Sequence, residues 1–546
     1  MQLSSPARFF LGSAVVFGSF VAGTIFLAGY LQAKRPEGIN EVRIPDDAGE
    51  KIARIDSAFQ AAWEKSDITP APDADSYTLA RRLSLALTGA VPSLEELRAL
   101  DNLPEGVDPV QSWLDHLFSD RRYHNYFAER LARNFVGVEN GPFLVYRRRR
   151  MVNWLAEQLS ENRPYDALVR DLVAAEGTWT TNPASNFLTV TVVDGNEGGP
   201  DEMKLAARTS RAFLGISLDC MQCHDDKFGD HWKQEHFHEL AAFYSQAEVQ
   251  LTGVRDNRGK DYETRYLGDT EARVVSESVP FASELLPENG NRRNRLAQWI
   301  THEENDAFSR AAVNRIWALM TGRPLHDPVD DIPLEGPYPA GLQELADFFV
   351  EENHNLQSLI RMIAASAPFQ RDSRSADPAF PITQKQEHAW AAFPITPLRP
   401  EQVAGSVIQA SSLQAIDRDS HVIHKLRRWG ETRDFVKRYG DPGENEFAEE
   451  AGTIPQRLLL MNGKLVSERT KPNPIMNSST RLAHYAADEE QAIDAAFLST
   501  LTRLPTDVEK EHFVELLDET YDNNRERTME DIFWALINST EFSWNR

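Results

Sequence analysis

The chain contains 546 residues, with a formal net charge of −25, a sequence pI near 5.1 and a mean hydropathy of −0.47. This acidity excludes nucleic acid as a partner, because binding to phosphates requires a basic face. Hydrophobic residues at 41% and aromatic residues at 10% are typical of a globular protein with a large core, and the length allows roughly two to four domains. With only two cysteines, a disulfide framework is excluded.

The first part of the chain contains an uncharged segment, residues 9–33, that is long enough to cross a bilayer as a helix. It is longer than the apolar region of a secretory signal peptide, and it lacks a convincing small-x-small cleavage site. We therefore predict an uncleaved transmembrane signal anchor over residues 1–35, with a cleaved signal peptide as the alternative. Residues 36–76 are predicted to form a tether with one helical patch at 52–63.

After the predicted tether, apolar residues recur at helical spacing, which predicts a mostly α, multi-helical protein. Gly89 ends a first helix, and Ser93 with Glu96 forms a capping box that begins the next. A similar turn near the other end of the chain has Thr506 and Glu509 in the same roles. These repeated patterns predict recurring helical hairpins whose apolar stripes face a core.

Two regions depart from the helical pattern. Residues 178–200, rich in Thr, Asn, Gly and Val, are predicted to form a long loop with one strand at 187–193. Residues 247–280 alternate weakly and are predicted to hold a minor β-hairpin. Helices are predicted at 203–214 and 234–244, on either side of the most informative motif.

Both cysteines lie in that motif, Cys220-Met221-Gln222-Cys223-His224, which has the C-x-x-C-H arrangement that attaches c-type haem. Two thiols in this order add across the two vinyl groups of the porphyrin, and the adjacent imidazole reaches the iron from the proximal side. The sequence thus predicts a haem c bound by Cys220, Cys223 and His224. The sixth iron position is either open or filled by a nearby side chain, and the candidates are Met203, His231, His236 and His238. The apolar residues available to wall a haem are Phe213, Leu214, Phe228, Trp232, Phe237 and Phe243.

Three other interpretations of the motif stay open. A structural zinc site would combine the two thiols and His224 with a fourth ligand, and the candidates are Asp225, Asp226 and His231. A thioredoxin-type redox pair normally opens a helix after a β-strand, whereas the residues before Cys220 are predicted to be helical. The two thiols could instead form a disulfide in an oxidising compartment.

Two further clusters are candidates for function. The basic run at residues 147–150 could hold haem propionates, a sulfate or an acidic glycan, although a solvated helix end is the commoner role of such a run. Asn314 and Arg315 are predicted to meet Asp330 and Asp331 in a polar network that is either catalytic or structural. The chain contains no G-x-S-x-G elbow, H-E-x-x-H or phosphate-cradling loop, so no motif identifies it as an enzyme.

Several short motifs occur in an order that resembles a known pair of domains. The stretch 220–243 resembles the central motif of the planctomycete cytochrome-C-associated domain of unknown function, and 81–92 resembles the opening of that domain. Later motifs resemble its companion C-terminal planctomycete domain of unknown function, and they lie at 294–299, 311–317, 322–325, 455–462 and 535–542. The resemblance assigns residues 77–280 to the first helical domain and 281–546 to the second.

The resemblance implies an exported protein whose two domains have no known activity. Many members carry a separate cytochrome-c-like domain ahead of this pair, whereas here the predicted anchor and tether occupy that place. Members commonly have His-Asp-His-Pro after the second cysteine, but this chain has His224-Asp225-Asp226-Lys227. Any role of that second histidine is therefore lost, which weakens a haem with two histidine ligands and a metal site built from that residue.

These observations predict a single-pass protein of the cell inner membrane with the bulk of the chain periplasmic, because c-type haem is attached outside the cytoplasmic membrane. It would carry one haem c for electron transfer with a redox partner protein, or for binding a small ligand. The alternative is a non-haem scaffold or binding module of an exported glycan- or sulfatase-related system, with the motif as a disulfide or metal clip. A hydrolase that uses the cluster from Asn314 to Asp331 is a third hypothesis.

Overall fold

The described part of the chain is mostly helical, with three small two-stranded antiparallel sheets. The predicted signal anchor at 9–33 lies outside it, and none of the described helices is both long and apolar enough to cross a membrane. Residues from Ile44 onward form one compact unit. The computed structural model describes residues 48–546 except 139–140, 142–144, 193–198, 227–231, 251, 267–268, 378, 417–421, 441–442, 444–446, 448–452, 474–476, 519–524 and the side chains of 422–429.

The N-terminal half consists of helices joined by short connections. They are α1 (Ala48–Lys65), α2 (Ser76–Thr88), α3 (Leu94–Asp101), α4 (Pro109–Ser119), α5 (Arg121–Val136), α6 (Arg148–Ser160), α7 (Tyr165–Val173), α8 (Asn186–Thr189), α9 (Glu202–Thr209) and α10 (Gln234–Ala242). A π-helical segment, Ser210–Leu214, continues α9, and 3₁₀ turns lie at Pro183–Ser185 and Asp219–Gln222. The helices predicted at 203–214 and 234–244 are confirmed.

Four short strands follow α10. They are β1 (Ala247–Gln250), β2 (Gly253–Asp256), β3 (Tyr262–Thr264) and β4 (Arg273–Val275). The first two pair with each other and the last two pair with each other, both in antiparallel register. The β structure predicted at 247–280 is therefore confirmed, as two hairpins instead of one.

The strand predicted at 187–193 is wrong. Residues Asn186–Thr189 form α8, after a 3₁₀ turn that is capped by the side chain of Asn182. A proline at the start of that turn fixes a helical φ, and Phe187 is fully buried at a ring distance of 5.5 Å from Phe213. Local capping and tertiary packing thus outweigh the β-branched residues that suggested a strand.

The C-terminal half is also helical. Its helices are α11 (Arg292–Ile300), α12 (Asp306–Thr321), α13 (Leu342–Glu351), α14 (Leu356–Ala365), α15 (Ala367–Gln370), α16 (Gln384–His388), α17 (Pro400–Ala410), α18 (Val422–Tyr439), α19 (Ile454–Asn462), α20 (Lys464–Thr470), α21 (Ser478–Tyr485), α22 (Glu489–Leu501), α23 (Asp507–Asp518) and α24 (Arg525–Ile537). β5 (Thr396–Pro397) pairs antiparallel with β6 (Trp544–Asn545).

Both predicted capping boxes are confirmed. Ser93 Oγ accepts from the Glu96 backbone N–H at 3.2 Å, and Glu96 Oε2 accepts from the Ser93 N–H at 2.8 Å. The Thr506 N–H donates to Glu509 Oε2 at 2.8 Å, and Thr506 Oγ1 accepts in return at 3.3 Å. These bonds satisfy backbone groups that a helix start leaves open. Gly89 ends α2 with a left-handed φ of 68°.

Helix α12 lies at the centre of the core. Every residue from Ala307 to Thr321 is buried, so this helix has no solvent face. Its Trp317 stacks on Phe59 of α1 at a ring-centroid distance of 5.8 Å and meets Trp390 edge-on at 5.0 Å. Residues spaced by four along α1 are buried in this contact region. The described part of the predicted tether, 48–76, is therefore packed into the fold and is not a free linker.

Two buried arginines of α2 bind distant parts of the chain. Arg81 donates to the carbonyl oxygens of Thr500 and Phe542 at 3.3 and 3.1 Å. Arg82 donates to three carbonyl oxygens, whose residues lie between 287 and 464 positions further along the chain. These contacts join the first half of the fold to its last segments.

Candidate functional site

The C-x-x-C-H motif lies on an exposed turn. The π-helical segment before it ends at Gly215 with a left-handed φ of 64°, and the chain then enters the 3₁₀ turn Asp219–Gln222. Cys220 lies within this turn, and Cys223 directly follows it with φ −113° and ψ −26°. Both thiols are free and exposed, whereas Met221 between them is buried and anchors the turn.

His224 offers one nitrogen lone pair next to these thiols. Its Nδ1 lies 2.7 Å from the carbonyl oxygen of Asp225, and because a carbonyl only accepts, Nδ1 carries the proton. Nε2 therefore keeps its lone pair, and among the described residues it has no hydrogen-bond partner. A bond from Nδ1–H to a backbone carbonyl is a common way to orient metal-binding imidazoles. The donor set of the motif thus fits a c-type haem.

The turn is held against α10 by three hydrogen bonds. The carbonyl oxygen of Gln222 accepts from Gln234 Nε2 at 3.1 Å and lies 3.3 Å from His238 Nε2. Asp225 Oδ1 accepts from the backbone N–H of Gln234 at 2.8 Å, so the residue after the motif caps the start of α10. The motif and this helix are one packed unit.

His238 is a buried member of this unit. It is 2% exposed, and its Nδ1 lies 2.8 Å from the hydroxyl oxygen of Tyr262 on β3. Burial lowers the pKa of His238, which keeps the ring neutral at pH 7. Both ring nitrogens are therefore occupied by hydrogen bonds, one to Tyr262 and one to the motif.

The other candidates for the sixth iron position lie in different settings. Met203 is next to the turn, since its sulfur accepts from Gln222 Nε2 at 3.4 Å. His236 Nδ1 accepts from the Lys233 N–H at 3.3 Å, so in the neutral ring Nε2 carries the proton and offers no lone pair. His231 lies outside the described residues. Of the described histidines named as ligands, His224 is the one whose hydrogen bond leaves a lone pair free.

The apolar residues predicted to wall a haem belong mostly to the core. Those with at most 1% exposure are Phe213, Leu214, Phe237 and Phe243. Trp232 is half-buried, and Phe228 lies outside the described residues. Two clefts of about 480 and 390 Å³ lie elsewhere, along the segments 170–182, 252–258 and 291–298, and their linings are polar. The prediction that these four core residues wall a haem is therefore wrong, because their side chains are used in packing the fold.

Among the described residues, one close group of three side chains is of the types that bind metal ions. These side chains form an ion-pair network. Ligand atoms of Glu96, His116 and Asp120 lie within 4.8 Å of one another. The Arg122 guanidinium fills this group: it donates to Glu96 and, at 2.6 Å, to Asp120. Burial alone would raise the pKa of Glu96, but its hydrogen bond with His116 and the charge of Arg122 outweigh burial and hold that pKa far below its usual range.

Replacing His116 by glutamine is expected to remove a pH-dependent part of the stability. The hydrogen bond to Glu96 raises the pKa of His116, against an opposing effect of burial. Because the pKa of His116 is higher in the folded than in the unfolded protein, the protonated ring stabilises the fold. This stabilisation is complete below the unfolded pKa of about 6.5 and is lost as the pH rises through the folded pKa. The side chain is 46% exposed, so the effect stays below about 1 kcal/mol. Urea-unfolding midpoints of wild type and H116Q should differ more at about pH 6 than at about pH 9; a pH-independent difference would contradict this.

The predicted contact of Asn314 with the carboxylates of Asp330 and Asp331 is wrong, and the guanidinium carbon of Arg315 lies 5.8 Å from the centre of the Phe447 ring. The Asn314 side chain donates to the carbonyl oxygens of His326 and Val329 at 2.8 and 3.2 Å and accepts from the His326 N–H at 2.9 Å. Its described contacts thus go to the backbone of the loop and not to the carboxylates of Asp330 and Asp331. The reason is that Asn314 is fully buried on α12, where a neutral amide can satisfy the backbone groups of the loop without the burial of a charge.

The same loop supports the segment before the motif. The N–H of Ile332 donates to the Gly215 carbonyl oxygen at 2.7 Å. A Cβ at Gly215 would lie 3.1 Å from side-chain atoms of both Ala311 and Ile332. The motif segment is therefore fitted closely against α12 of the C-terminal half.

The basic run at 147–150 has two parts. The Arg147 backbone N–H donates to Asn186 Oδ1 at 2.6 Å, and Arg148 pairs with Glu129 at 2.7 Å. Arg149 and Arg150 are exposed in the first turn of α6. Half of the run thus supports the fold, and half is a solvated helix end.

Sequence reasoning missed Gln234 as a partner of the motif and treated His238 only as an iron ligand. The two residues are four positions apart on α10, so they share one helix face. The signal that could have found them is a polar pair at this spacing. The pair lies on the first helix after the motif, on a side that is otherwise apolar.

Fold and site together define a class: a mostly helical protein whose N-terminal half presents an exposed thiol–imidazole turn and is joined to a second helical half. A family model described as PSCyt2, protein of unknown function (DUF1549), matches residues 54–249, and one described as PSD1, protein of unknown function (DUF1553), matches residues 292–441. The chain belongs to the family that carries these two domains in this order, so the resemblance is confirmed. No curated protein and no solved structure matches the chain.

Proposed function

We propose that this protein is an outward-facing, membrane-anchored carrier of one c-type haem, joined to Cys220 and Cys223 and ligated on its proximal side by His224. The observation that carries the proposal is the exposed pair of free cysteines three positions apart, followed by an imidazole whose Nε2 lone pair is free. A haem held in this way supplies one-electron transfer to a redox partner protein, or a binding position for a small ligand where its sixth site is open.

The residues perform the attachment without an oxidant or reductant. Each thiol adds across one vinyl group: the sulfur bonds to one carbon and the thiol hydrogen goes to the other. Both thiols must be reduced and accessible for this step, and both side chains are exposed. His224 Nε2 supplies an iron ligand, and the Asp225 carbonyl holds the proton on Nδ1. Because the neighbouring aromatic side chains are already buried, attachment at the turn requires no change in the core.

The same geometry gives less support to a zinc ion bound jointly by Cys220, Cys223 and His224. A tetrahedral site brings its sulfur and nitrogen ligand atoms to roughly 3–4 Å of one another. The group at Glu96 is the one set of three within 4.8 Å among the described residues, so the two sulfurs and the His224 nitrogens are spread more widely. Haem attachment tolerates this wider spacing. The sulfurs bond to vinyl groups at the edge of the porphyrin, which lie apart from the iron that the imidazole binds.

The membrane anchor and the periplasmic location of the domains are part of the same proposal. We propose that residues 1–35 form a single-pass anchor in the inner membrane, with the helical domains 77–280 and 281–546 on the periplasmic side. The uncharged length of 9–33 supports the anchor. Haem attachment outside the cytoplasmic membrane supports the orientation.

A second candidate is a non-haem binding module or scaffold, with the thiol pair as a disulfide or metal clip. The polar clefts of about 480 and 390 Å³ away from the motif favour it, since they could accept a polar ligand independently of the thiols.

Production of the full chain in cells that contain the c-haem maturation machinery tests the proposal. We expect protein purified from detergent-solubilised membranes to show a c-type pyridine haemochrome spectrum and an intact mass increased by one haem. A colourless chain with oxidised thiols or bound zinc would refute the haem and support the second candidate. Elemental analysis for iron and zinc on the same sample separates these outcomes.

A further inference from the structure

The peptide bond between Gln222 and Cys223 is held from both sides. Its carbonyl oxygen accepts from Gln234 at 3.1 Å and lies 3.3 Å from His238 Nε2. Its N–H donates to the Cys220 carbonyl oxygen at 3.3 Å. Because a peptide group is planar, fixing both ends fixes its orientation, and with it the direction in which Cys223 leaves the backbone.

The two donors to this carbonyl are buried while the thiols are exposed. Gln234 is 8% and His238 is 2% exposed, and both lie on one face of α10. The turn therefore has a rigid inner side and a reactive outer side. Met221, buried between the cysteines, completes the inner side.

His238 can donate to the carbonyl in only one tautomer. The proton must lie on Nε2, because the carbonyl oxygen has none to give, so Nδ1 accepts from the Tyr262 hydroxyl at 2.8 Å. The Tyr262 ring is stacked on His238 with a centroid distance of 5.9 Å, and Tyr266 meets the imidazole edge-on at 5.2 Å. The Gln222 carbonyl thus fixes the tautomer of His238, and the Tyr262 hydroxyl, which can donate or accept, supplies the bond to the remaining nitrogen.

We propose that His238 is a positioning residue of the C-x-x-C-H turn: it holds the Gln222 carbonyl so that both thiols face the incoming porphyrin, and it does not ligate the iron. This inference rests on the haem attachment proposed above.

Three variants of the full chain test the inference in cells with the maturation machinery. In H238F the ring volume is kept and both hydrogen bonds are lost, so we expect the fraction of chains with covalent haem to fall about tenfold. In H238Q the side-chain amide can still donate to the carbonyl, and we expect most of the attachment to return with an unchanged haem spectrum. E235Q is the matched control, because Glu235 is exposed on the same helix without a described hydrogen bond to the turn, and it should load like wild type.

A second readout does not depend on haem. In thiol-reduced protein from cells without the machinery, the ratio of the alkylation rates of Cys223 and Cys220 by iodoacetamide should change in H238F and return in H238Q. Wild-type loading and a wild-type alkylation ratio in H238F would overturn the inference, and so would a changed iron spin state in H238Q, which would make His238 a ligand. If H238F does not fold, H238M also removes both hydrogen bonds with a more flexible apolar side chain and should shift the ratio in the same direction; no shift would overturn the inference.

Failure of this inference and failure of the haem proposal have different signatures. A wild-type chain that carries no haem in competent cells refutes the haem proposal, and the alkylation ratios then decide alone whether His238 positions the thiols. A wild-type chain with haem and an H238F chain with equal haem refute only the positioning role.

Discussion

A chain with serine at both Cys220 and Cys223 is expected to carry no covalent haem. The whole sequence contains only these two cysteines, so no other thiol can form a thioether. Both side chains are exposed and free, and substitutions at such positions usually change the free energy of unfolding by less than about 0.5 kcal/mol. Loss of haem would therefore report on the attachment chemistry and not on folding. Intact mass and the pyridine haemochrome spectrum measure it.

D219N is the matched control for this variant. Asp219 lies on the same 3₁₀ turn, in a partly exposed ion pair with Arg211 at 3.4 Å, which contributes little to stability. We expect it to load like wild type. Each single serine variant should keep one thioether and the mass of one haem, with its absorption band at longer wavelength because one vinyl group stays conjugated. Covalent haem in the double variant would show that attachment occurs elsewhere.

Local features of this protein could be predicted from sequence because their signals are local. The boxes at Ser93 and Thr506 depend on residues three positions apart, and their geometry follows from the helix start alone. The C-x-x-C-H motif could be recognised for the same reason, since its donor set lies within five consecutive residues. The mostly helical fold followed from apolar spacing over many such segments.

Features that depend on distant packing could not be predicted. The patch at 52–63 carries a helical pattern, but only the position of Trp317 in space shows that α1 is part of the core. The sequence predicts a polar network of Asn314 with Asp330 and Asp331, whereas burial on α12 directs the Asn314 amide to backbone groups. For the site, the donor set could be predicted, but the contact of His238 with the Gln222 carbonyl depends on how α10 folds back on the turn.

Replacing Arg82 by methionine is expected to lower the free energy of unfolding by about 3–5 kcal/mol, because each buried carbonyl left without its donor costs about 1–3 kcal/mol. Its Nε donates to the carbonyl oxygen of Arg546 at 2.7 Å, and its Nη1 donates to those of Phe369 and Arg371 at 2.7 and 2.9 Å. Methionine fills much of the same volume but leaves these carbonyls without their donor in a dry site. It also removes the cation that lies 3.6 Å from the centre of the Phe393 ring.

The size of this effect follows from which partners remain after the substitution. Burial lowers the pKa of Arg82 to about 9, so the side chain is charged at neutral pH. Replacing a whole buried ion pair by apolar residues can be neutral, but backbone carbonyls cannot be removed together with the arginine.

R54M is the matched control, because Arg54 is 44% exposed and pairs with Glu351 at the surface at 3.2 Å, and its loss should cost less than about 1 kcal/mol. Urea-unfolding midpoints followed by tryptophan fluorescence should fall far more in R82M than in R54M. Equal midpoints would show that the N-terminal and C-terminal segments are held together by the apolar core around α12 and not by this arginine.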